Sequence, residues 1–455
     1  MITYGKNKQM RADKVHYDAN GGATESEEAQ LLDDLAKEKP EHLFVISHGW
    51  NNDETEADSL YDNFFTATEN VWSHFPQLAP SAFLTLAVIW PARKFDENAF
   101  AAIAPAAFPR AAAAVSGSAA ALLPNAIDTE LRAQLSTLKE IANDPTADAL
   151  LDHAIAQIPM LSVSQSAQDD FVHAIVNAFP GGPQESDPGL DDGLSHINST
   201  PGHTVLATIA QTLSAHAGTP GVTFQGGAAQ LGGSTGFNPL QLVRNAALAL
   251  ANVTTYWTMK ERAGIVGRTG VAQTIAKALV AVPGLKVHLV GHSFGGRLVT
   301  AAANALTGGT PGHQAATMTL LQAAYSHYGM AHNYQPNVDG IYRSVLTSDK
   351  VRSEIQVTHS VHDLAVGLAY PIASALARQI GQGLFTNPWG GMGGDGAQAT
   401  PESFDDTLRP VGQAYALLKA PATLRNLNGN AIIMSHGDVT HDEIAFTALR
   451  AVALS

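Results

Sequence analysis

The stretch Lys286–Gly296, KVHLVGHSFGG, contains the residues that decide the fold. An apolar run, Val287–Val290, leads into a GHSFG turn centred on Ser293, and an alanine-rich helical pattern follows over residues 297–306. A strand, a G-x-S-x-G turn and a helix in this order predict a nucleophile elbow. Small residues two positions before and after the serine make room for the sharp turn of the backbone. We therefore expect Ser293 to lie exposed at the carboxyl edge of a sheet.

A second G-x-S-x-G match is centred on Ser234 and shows that the pattern alone is weak. No β-branched run precedes this match, and Phe237-Asn238-Pro239 follows it where an elbow would have a helix. We interpret the second match as a loop, so that Ser293 is the candidate nucleophile because of its flanking elements.

Apolar runs with strand character alternate along the chain with helical patterns. The predicted strands are Leu43–Ser47, Ala82–Trp90, Val287–Val290, Ala316–Gln322, Glu354–Ser360 and Asn428–Ser435. The predicted helices cover about 24–39, 54–74, 239–279 with a break near 264–270, 297–306, 371–380 and 440–454. Strands separated by helices predict an α/β fold with a mostly parallel, doubly wound sheet and helices on both faces.

Residues 92–238 interrupt this alternation with Ala- and Pro-rich sequence, an amphipathic helical region and a Gly/Pro/Ser/Thr-rich stretch. We interpret them as a large, mainly helical and loop insertion between two parts of one core, residues 1–91 and 239–455. The insertion is either a surface subdomain or a lid over the substrate, and the sequence leaves both open.

Composition excludes several classes of protein. The chain of 455 residues has a net charge of −15, which argues against a nucleic-acid partner because phosphate contacts need a basic surface. It contains no cysteine, so disulfides and thiolate chemistry are excluded. The amino terminus shows no apolar segment after its basic residues, which predicts a cytoplasmic protein without a signal peptide. Prolines interrupt the alanine-rich stretch Phe100–Ile127, so we expect no integral membrane segment.

A serine hydroxyl needs a base to take its proton and an acid to orient that base. In such sheets the acid and then the histidine follow the serine, each in a loop after a strand. Asp363 comes shortly after the strand Glu354–Ser360 and is preferred as the acid over Asp349 and Asp339, which no strand directly precedes. His436 comes immediately after the last predicted strand and is preferred as the base over His441, which lies at the start of a helix.

Two backbone N–H groups are needed to stabilise the oxyanion. Phe294, directly after the serine, is expected to supply one. The other is expected from Trp50 in the His48-Gly49-Trp50 turn that follows the first predicted strand. The sequence contains neither a metal-ligand spacing such as H-E-x-x-H nor a Gly-rich phosphate loop, so we expect no metal and no cofactor.

Taken together, these motifs resemble the α/β-hydrolase superfamily, in particular bacterial members with an HGW loop and a GHSFG elbow. Ile89-Trp90-Pro91 and the tail His436–His441 are similar to segments of those members, and the resemblance extends over residues 41–92 and 239–455. It implies an eight-stranded, mostly parallel sheet and a Ser293–Asp363–His436 triad.

The function expected from these residues is that of a serine hydrolase that cleaves the carboxylic ester of a small-molecule or lipid-like substrate through an acyl-enzyme. A peptidase, an amidase or an acyltransferase would use the same triad. A non-catalytic scaffold that binds a partner through the insertion is a further, less favoured alternative.

Overall fold

The structure is a computed structural model. It describes residues 1–50, 53–92, 124–179, 197, 200–216, 239–310, 312–363 and 390–455. The predicted helix over 371–380, the Ser234 match and most of the Gly/Pro-rich part of the insertion lie outside these ranges.

Within the described residues the chain forms one nine-stranded sheet. In chain order the strands are β1 Ile2–Tyr4, β2 Met10–His16, β3 His42–Ser47, β4 Phe83–Ile89, β5 Lys286–His292, β6 Thr317–Leu321, β7 Ile355–His359, β8 Ser403–Thr407 and β9 Leu424–Asn428. Their order across the sheet is β1-β2-β4-β3-β5-β6-β7-β9-β8. Only β1 is antiparallel to its neighbour, and the other pairs are parallel.

Helices connect these strands. The described helices are α1 Glu25–Glu38, α2 Glu54–Val71, α3 Pro124–Ala142, α4 Pro145–Gln157, α5 Gln165–Ala178, α6 Gly202–His216, α7 Pro239–Ile265, α8 Ala272–Ala281, α9 Phe294–Ala305, α10 Ser344–Thr347, α11 Met392–Asp395 and α12 Asp442–Ala453. None of the helices in these ranges combines the length and the apolar character needed to cross a bilayer.

Both faces of the central strands are covered by helices. Every residue of β3 and of β4 is buried, as a parallel sheet between two helical layers requires. Helices α2 and α12 contact each other and share a core cluster with Phe44, Ile46 and Val290. Helices α1, α8 and α9 form a second group of contacting helices. The α/β fold with a mostly parallel sheet is therefore confirmed.

The chain divides into two compact units. The first consists of Met1–Lys94, Met259–Val366 and Gly390–Ser455 and contains the whole sheet. The second consists of Phe95–Thr258 and Gly367–Trp389, and its described residues are helical. Leu131, Leu151 and Phe171 are fully buried in the second unit, in which Asp128 and Arg244 form an ion pair at 2.7 Å.

Several sequence expectations need correction. The last strand is Leu424–Asn428 and not Asn428–Ser435, because Gly429 and Asn430 turn the chain out of the sheet and Ile433 is buried from a loop. The sheet has nine strands in the described residues where the resemblance implied eight. The strands β1, β2 and β8 were not predicted, because β1 has only three residues and charged residues interrupt the apolar patterns of β2 and β8.

The predicted break near 264–270 is a π-helical turn, Val266–Val271, between α7 and α8. Its glycines allow close backbone packing. A Cβ on Gly267 would lie 2.2 Å from the carbonyl oxygen of Leu298 in α9, and one on Gly270 would lie 2.4 Å from the carbonyl oxygen of Gly21. The glycines therefore serve helix packing at this turn.

Two buried histidines lie side by side at the amino ends of β3 and β5. The Nδ1 atom of His42 is 2.9 Å from Nε2 of His288, and Nδ1 of His288 is 2.9 Å from Oγ1 of Thr317 on β6. Burial lowers the pKa of His42 to about 4. Burial, the neighbouring His42 and the positive charges of Lys286 and Arg352 hold the pKa of His288 well below its usual value. Both imidazoles are therefore neutral at pH 7.

We expect the free energy of unfolding to fall as the pH drops below the ordinary histidine value of 6.5 towards about 4. In this window the unfolded chain binds protons that the folded chain does not. The substitution His288→Gln should reduce the slope of the unfolding free energy against pH by up to about 1.4 kcal/mol per unit. Urea unfolding at a series of pH values measures this slope. The exposed His313→Gln serves as the control, and an unchanged slope in His288→Gln would contradict the expectation.

A buried ion network fixes β9 to the strand β7 and to the helix α12. Arg425 is fully buried, and its Nε donates to Oε1 of Glu354 at 2.9 Å, while Arg450 of α12 lies 3.0 Å from Oε2 of the same carboxylate. Arg425 also donates to Asp406 on β8 at 2.5 Å. Burial tends to raise the pKa of Glu354, but these arginines and Gln356 outweigh it and the pKa is lowered.

Glu354→Gln should destabilise the protein by about 3–5 kcal/mol, because it leaves buried guanidinium charges without their carboxylate. Thermal or chemical unfolding measures the loss. Asp33→Asn removes one partner of the exposed Asp33–Lys37 pair and should leave the midpoint almost unchanged. Equal effects of the two substitutions would show that the buried network is not stabilising.

Candidate active site

Trp50, Ser293 and Phe294 follow the two strands at which the direction of the chain across the sheet reverses. From β3 the chain proceeds to β4 on one side, and β5 then pairs with β3 on the other side. In open α/β sheets, ligands bind in the crevice at the carboxyl ends of the strands next to such a switch point. His48-Gly49-Trp50 follows β3 and Ser293 follows β5, so both segments lie at this crevice.

Ser293 adopts the strained backbone expected of an elbow. It is buried, with 5% of its surface exposed, and not exposed as the sequence predicted, because Gly49 of the loop after β3 lies against it. Its φ is +57° and its ψ is −124°, and it is the residue before the first turn of α9. A side chain on either flanking glycine would collide with backbone. A Cβ on Gly291 would lie 2.3 Å from the carbonyl oxygen of Gly295, and one on Gly295 would lie 2.3 Å from that of Ser47. The GHSFG spacing is therefore a steric requirement of this turn.

The first loop contacts the elbow through Gly49. A Cβ on Gly49 would lie 2.6 Å from Cβ of Ser293 and 3.1 Å from the carbonyl oxygen of His292. Only glycine allows the loop this close to the serine. The indole of Trp50 lies against the ring of Phe294, with centroids 5.9 Å apart. Trp50 and Phe294, the two expected oxyanion donors, thus lie next to each other beside Ser293.

His48 fixes the conformation of this loop from within the core. Its Nδ1 is 2.9 Å from the carbonyl oxygen of Gly49, and because a carbonyl accepts, Nδ1 is the protonated nitrogen. The Trp90 indole donates to the carbonyl of His48 at 3.0 Å. Burial lowers the pKa of His48 to about 4, so the ring is neutral at pH 7. The motif HGW and the tryptophan after β4 therefore form one structural unit.

Asp363 and His436 lie in direct contact. Nδ1 of His436 is 2.9 Å from Oδ1 and 3.0 Å from Oδ2 of Asp363. The Asp363 side chain is fully buried, whereas that of His436 is 19% exposed. A carboxylate on Nδ1 leaves Nε2 of the imidazole as the nitrogen that can accept a proton. The two side chains that the sequence proposed as acid and base therefore lie within hydrogen-bonding distance of each other.

His436 is held next to the elbow by the residue that precedes Ser293. Nε2 of His292 is 3.0 Å from the carbonyl oxygen of His436, and the two rings lie 4.9 Å apart. Burial, together with the nearby His436, lowers the pKa of His292 to about 3, so this ring is neutral at pH 7. Its Nε2 therefore donates to the carbonyl. The sequence analysis did not identify this contact, because residue spacing gives no sign of it.

The alternative acids and base have other partners. Asp339 accepts hydrogen bonds from His332 and from the backbone of Asn333 in a surface loop. Asp349 lies with Gly309 before β7, on the side of the sheet away from the carboxyl ends. His441 pairs with Asp438 at 2.7 Å, and Asp438 also accepts from the backbone N–H of Met434. The structure brings Asp363 and His436 together and leaves the alternatives apart from this pair.

Within the described residues, no group of three or more His, Cys, Asp and Glu side chains could hold a metal ion.

Comparisons with known proteins give no further information about the site. No protein-family model, no curated protein sequence and no solved structure matches this chain.

Proposed function

We propose that this chain is a serine hydrolase of the α/β-hydrolase fold that cleaves carboxylic esters. The observation that carries the proposal is the 2.9 Å contact between Asp363 and His436. His292, which directly precedes Ser293 with its positive φ, contacts the backbone carbonyl of His436 and so links this pair to the elbow. Strained backbone of this kind costs of order 1–3 kcal/mol and is found preferentially at functional sites. The chain retains this cost at Ser293, directly after the residue whose imidazole contacts the backbone carbonyl of His436.

The proposed reaction proceeds in two steps. Nε2 of His436 removes the proton of the Ser293 hydroxyl while Oγ attacks the ester carbonyl. Asp363 keeps the imidazole oriented and stabilises its protonated form. The backbone N–H groups of Phe294 and Trp50 stabilise the oxyanion, and His436 returns the proton to the leaving alcohol. A water molecule then attacks the acyl-enzyme, again with His436 as the base, and releases the carboxylic acid product.

The surroundings of Ser293 support a neutral substrate group near the reacting carbonyl. Burial lowers the pKa of His48 to about 4 and that of His292 to about 3, so neither adds a charge next to the serine at pH 7. We propose a small-molecule or lipid-like ester as the substrate class.

Labelling with a fluorophosphonate probe tests the nucleophile. The wild-type protein should be labelled, and Ser293→Ala should not, because the probe reacts only with an activated serine. Ser234→Ala is the matched control, since Ser234 stands in the same G-x-S-x-G pattern, and it should be labelled like wild type. His436→Gln should slow labelling by several orders of magnitude. Labelling of Ser293→Ala at the wild-type rate would refute the proposal.

Aryl esters and anilides of the same acyl group distinguish an esterase from an amidase. We expect p-nitrophenyl esters to be hydrolysed and the matching anilides to remain intact. A panel of esters of increasing acyl length would then define the acyl pocket. Faster turnover of anilides would identify an amidase or peptidase with the same nucleophile.

Gly49→Ala tests the role of the first loop. The new methyl group would lie 2.6 Å from Cβ of Ser293, so the loop must move away and carry the Trp50 N–H with it. Because loss of one oxyanion donor costs about 10²–10³ in kcat, we expect a reduction of this size with hydrolysis of aryl esters as the readout. Gly394→Ala is the control, because the space around that Cβ is open. Full activity of Gly49→Ala would contradict the role of this loop.

A further inference from the structure

Gln322, the residue directly after β6, contacts the carboxylate of Asp363 and the backbone carbonyl of Gly393 through its side-chain amide. Its side chain is fully buried. Its Nε2 is 3.3 Å from Oδ2 of Asp363 and 3.2 Å from the carbonyl oxygen of Gly393. Its Oε1 accepts from the hydroxyl of Thr358 on β7 at 3.1 Å. Each polar atom of this buried amide therefore has a partner.

The orientation of the amide follows from the chemistry of these partners. Both groups near Nε2, the carboxylate of Asp363 and the carbonyl of Gly393, can only accept a hydrogen bond. An amide turned by 180° would place its oxygen against two acceptors. The two N–H groups of Gln322 therefore point at Asp363 and at Gly393. In the flipped orientation the amide could donate a hydrogen bond to neither of them.

The backbone at Gln322 is also strained. Its φ is +46°, in the left-handed region that a residue with a Cβ rarely adopts. The backbone N–H of Gln322 donates to Oγ1 of Thr358 at 3.2 Å, which contributes to fixing this conformation. Such strain persists where the surrounding structure imposes it, and it directs this side chain toward Asp363.

Gly393 completes the arrangement. A Cβ at this position would lie 2.6 Å from Oδ2 of Asp363 and 2.7 Å from the carbonyl carbon of Gln322. Its carbonyl also accepts from the backbone N–H of Ser360 at 2.9 Å. The chain around Gly393 thus packs directly on the carboxylate and its amide partner.

We propose that Gln322 is a positioning residue that fixes the orientation of the Asp363 carboxylate toward His436. This inference rests on the proposed function, because it concerns the acid of the same site. Oδ2 of Asp363 accepts a hydrogen bond from the Gln322 amide, and the carboxylate accepts one from Nδ1 of His436 at the same time. The amide thereby limits the rotation of the carboxylate, and its removal should loosen the orientation of the imidazole that the carboxylate contacts.

Gln322→Met keeps the length of the side chain and removes both N–H donors. We expect the rate of fluorophosphonate labelling and kcat for an aryl ester to fall about a hundredfold, the effect of a misplacement of about 1 Å. KM should change little, since Gln322 acts on the acid and not on the substrate. Should this variant fail to fold, Gln322→Gly relieves the left-handed strain and removes the same donors, and it should show the same loss.

Gln322→Glu gives a readout that a purely structural role would not produce. The introduced carboxyl group can donate to Asp363 only while it is protonated, and two adjacent carboxyl groups readily share one proton. We therefore expect activity close to that of wild type on the acid side of the pH profile and a steep loss as the pH rises. Wild type should not show this loss.

Gln356→Met is the matched control for the removal of a buried glutamine. Gln356 lies on β7, is fully buried and donates to Glu354 and to Thr447, away from the candidate site. We expect the Gln356→Met variant to be less stable than wild type, with the same rate of fluorophosphonate labelling and the same pH profile of activity. Equal losses of activity in Gln356→Met and Gln322→Met, or wild-type labelling of Gln322→Met, would overturn the positioning role.

Proton NMR separates this inference from the proposed function. The Nδ1 proton of His436 in its hydrogen bond to Asp363 should give a downfield signal that is lost in His436→Gln. We expect this signal to move upfield or broaden in Gln322→Met and to stay in place in Gln356→Met. An unchanged signal in Gln322→Met would overturn the inference whatever the activity. If the fluorophosphonate probe does not label the wild-type protein, the proposed function is refuted. The NMR signal would then still show whether Gln322 orients Asp363 toward His436.

Discussion

The candidate site depends on a close contact between two backbone segments, the loop after β3 and the elbow after β5. Gly49 lies against Ser293, and Gly295 lies against the carbonyl oxygens of Ser47 and His48. No residue with a side chain fits at these two positions without moving one segment away from the other. Because β3 and β5 are neighbours in a fully buried part of the sheet, their ends meet at this contact.

Around this contact, buried polar groups fix each functional side chain in turn. His48 and Trp90 fix the first loop, His292 fixes the loop of His436, and Gln322 contacts Asp363. Neutral imidazoles suit this task, because a buried charge beside the serine would carry a large desolvation cost. The network thus orients these side chains without placing a charged imidazole beside Ser293.

The elements that the sequence predicted well are those with long apolar runs and clear boundaries. Pro40 after α1 and Pro91 after β4 mark where those elements end, and the central strands β3 and β4 are mostly apolar and fully buried. The last strand was misplaced because Ala431–Met434 is apolar, although it lies in turns and only Ile433 of this run is buried. The strands β2 and β8 escaped prediction, since local pattern does not reveal a strand whose charged residues pair with neighbouring elements.

The sequence by itself determined the elbow, the HGW turn and the order of the candidate residues Ser293, Asp363 and His436, because sterics and strand direction act locally at each of them. The tertiary structure decided which carboxylate meets which imidazole. The sequence favoured Asp363 over Asp339 and Asp349 because a strand directly precedes it, but only the pairing of β7 with β6 and β9 brings Asp363 to His436. Gln322 and His292 acquire their roles in the same way, since their partners lie 41 and 144 residues away and only folding makes them neighbours.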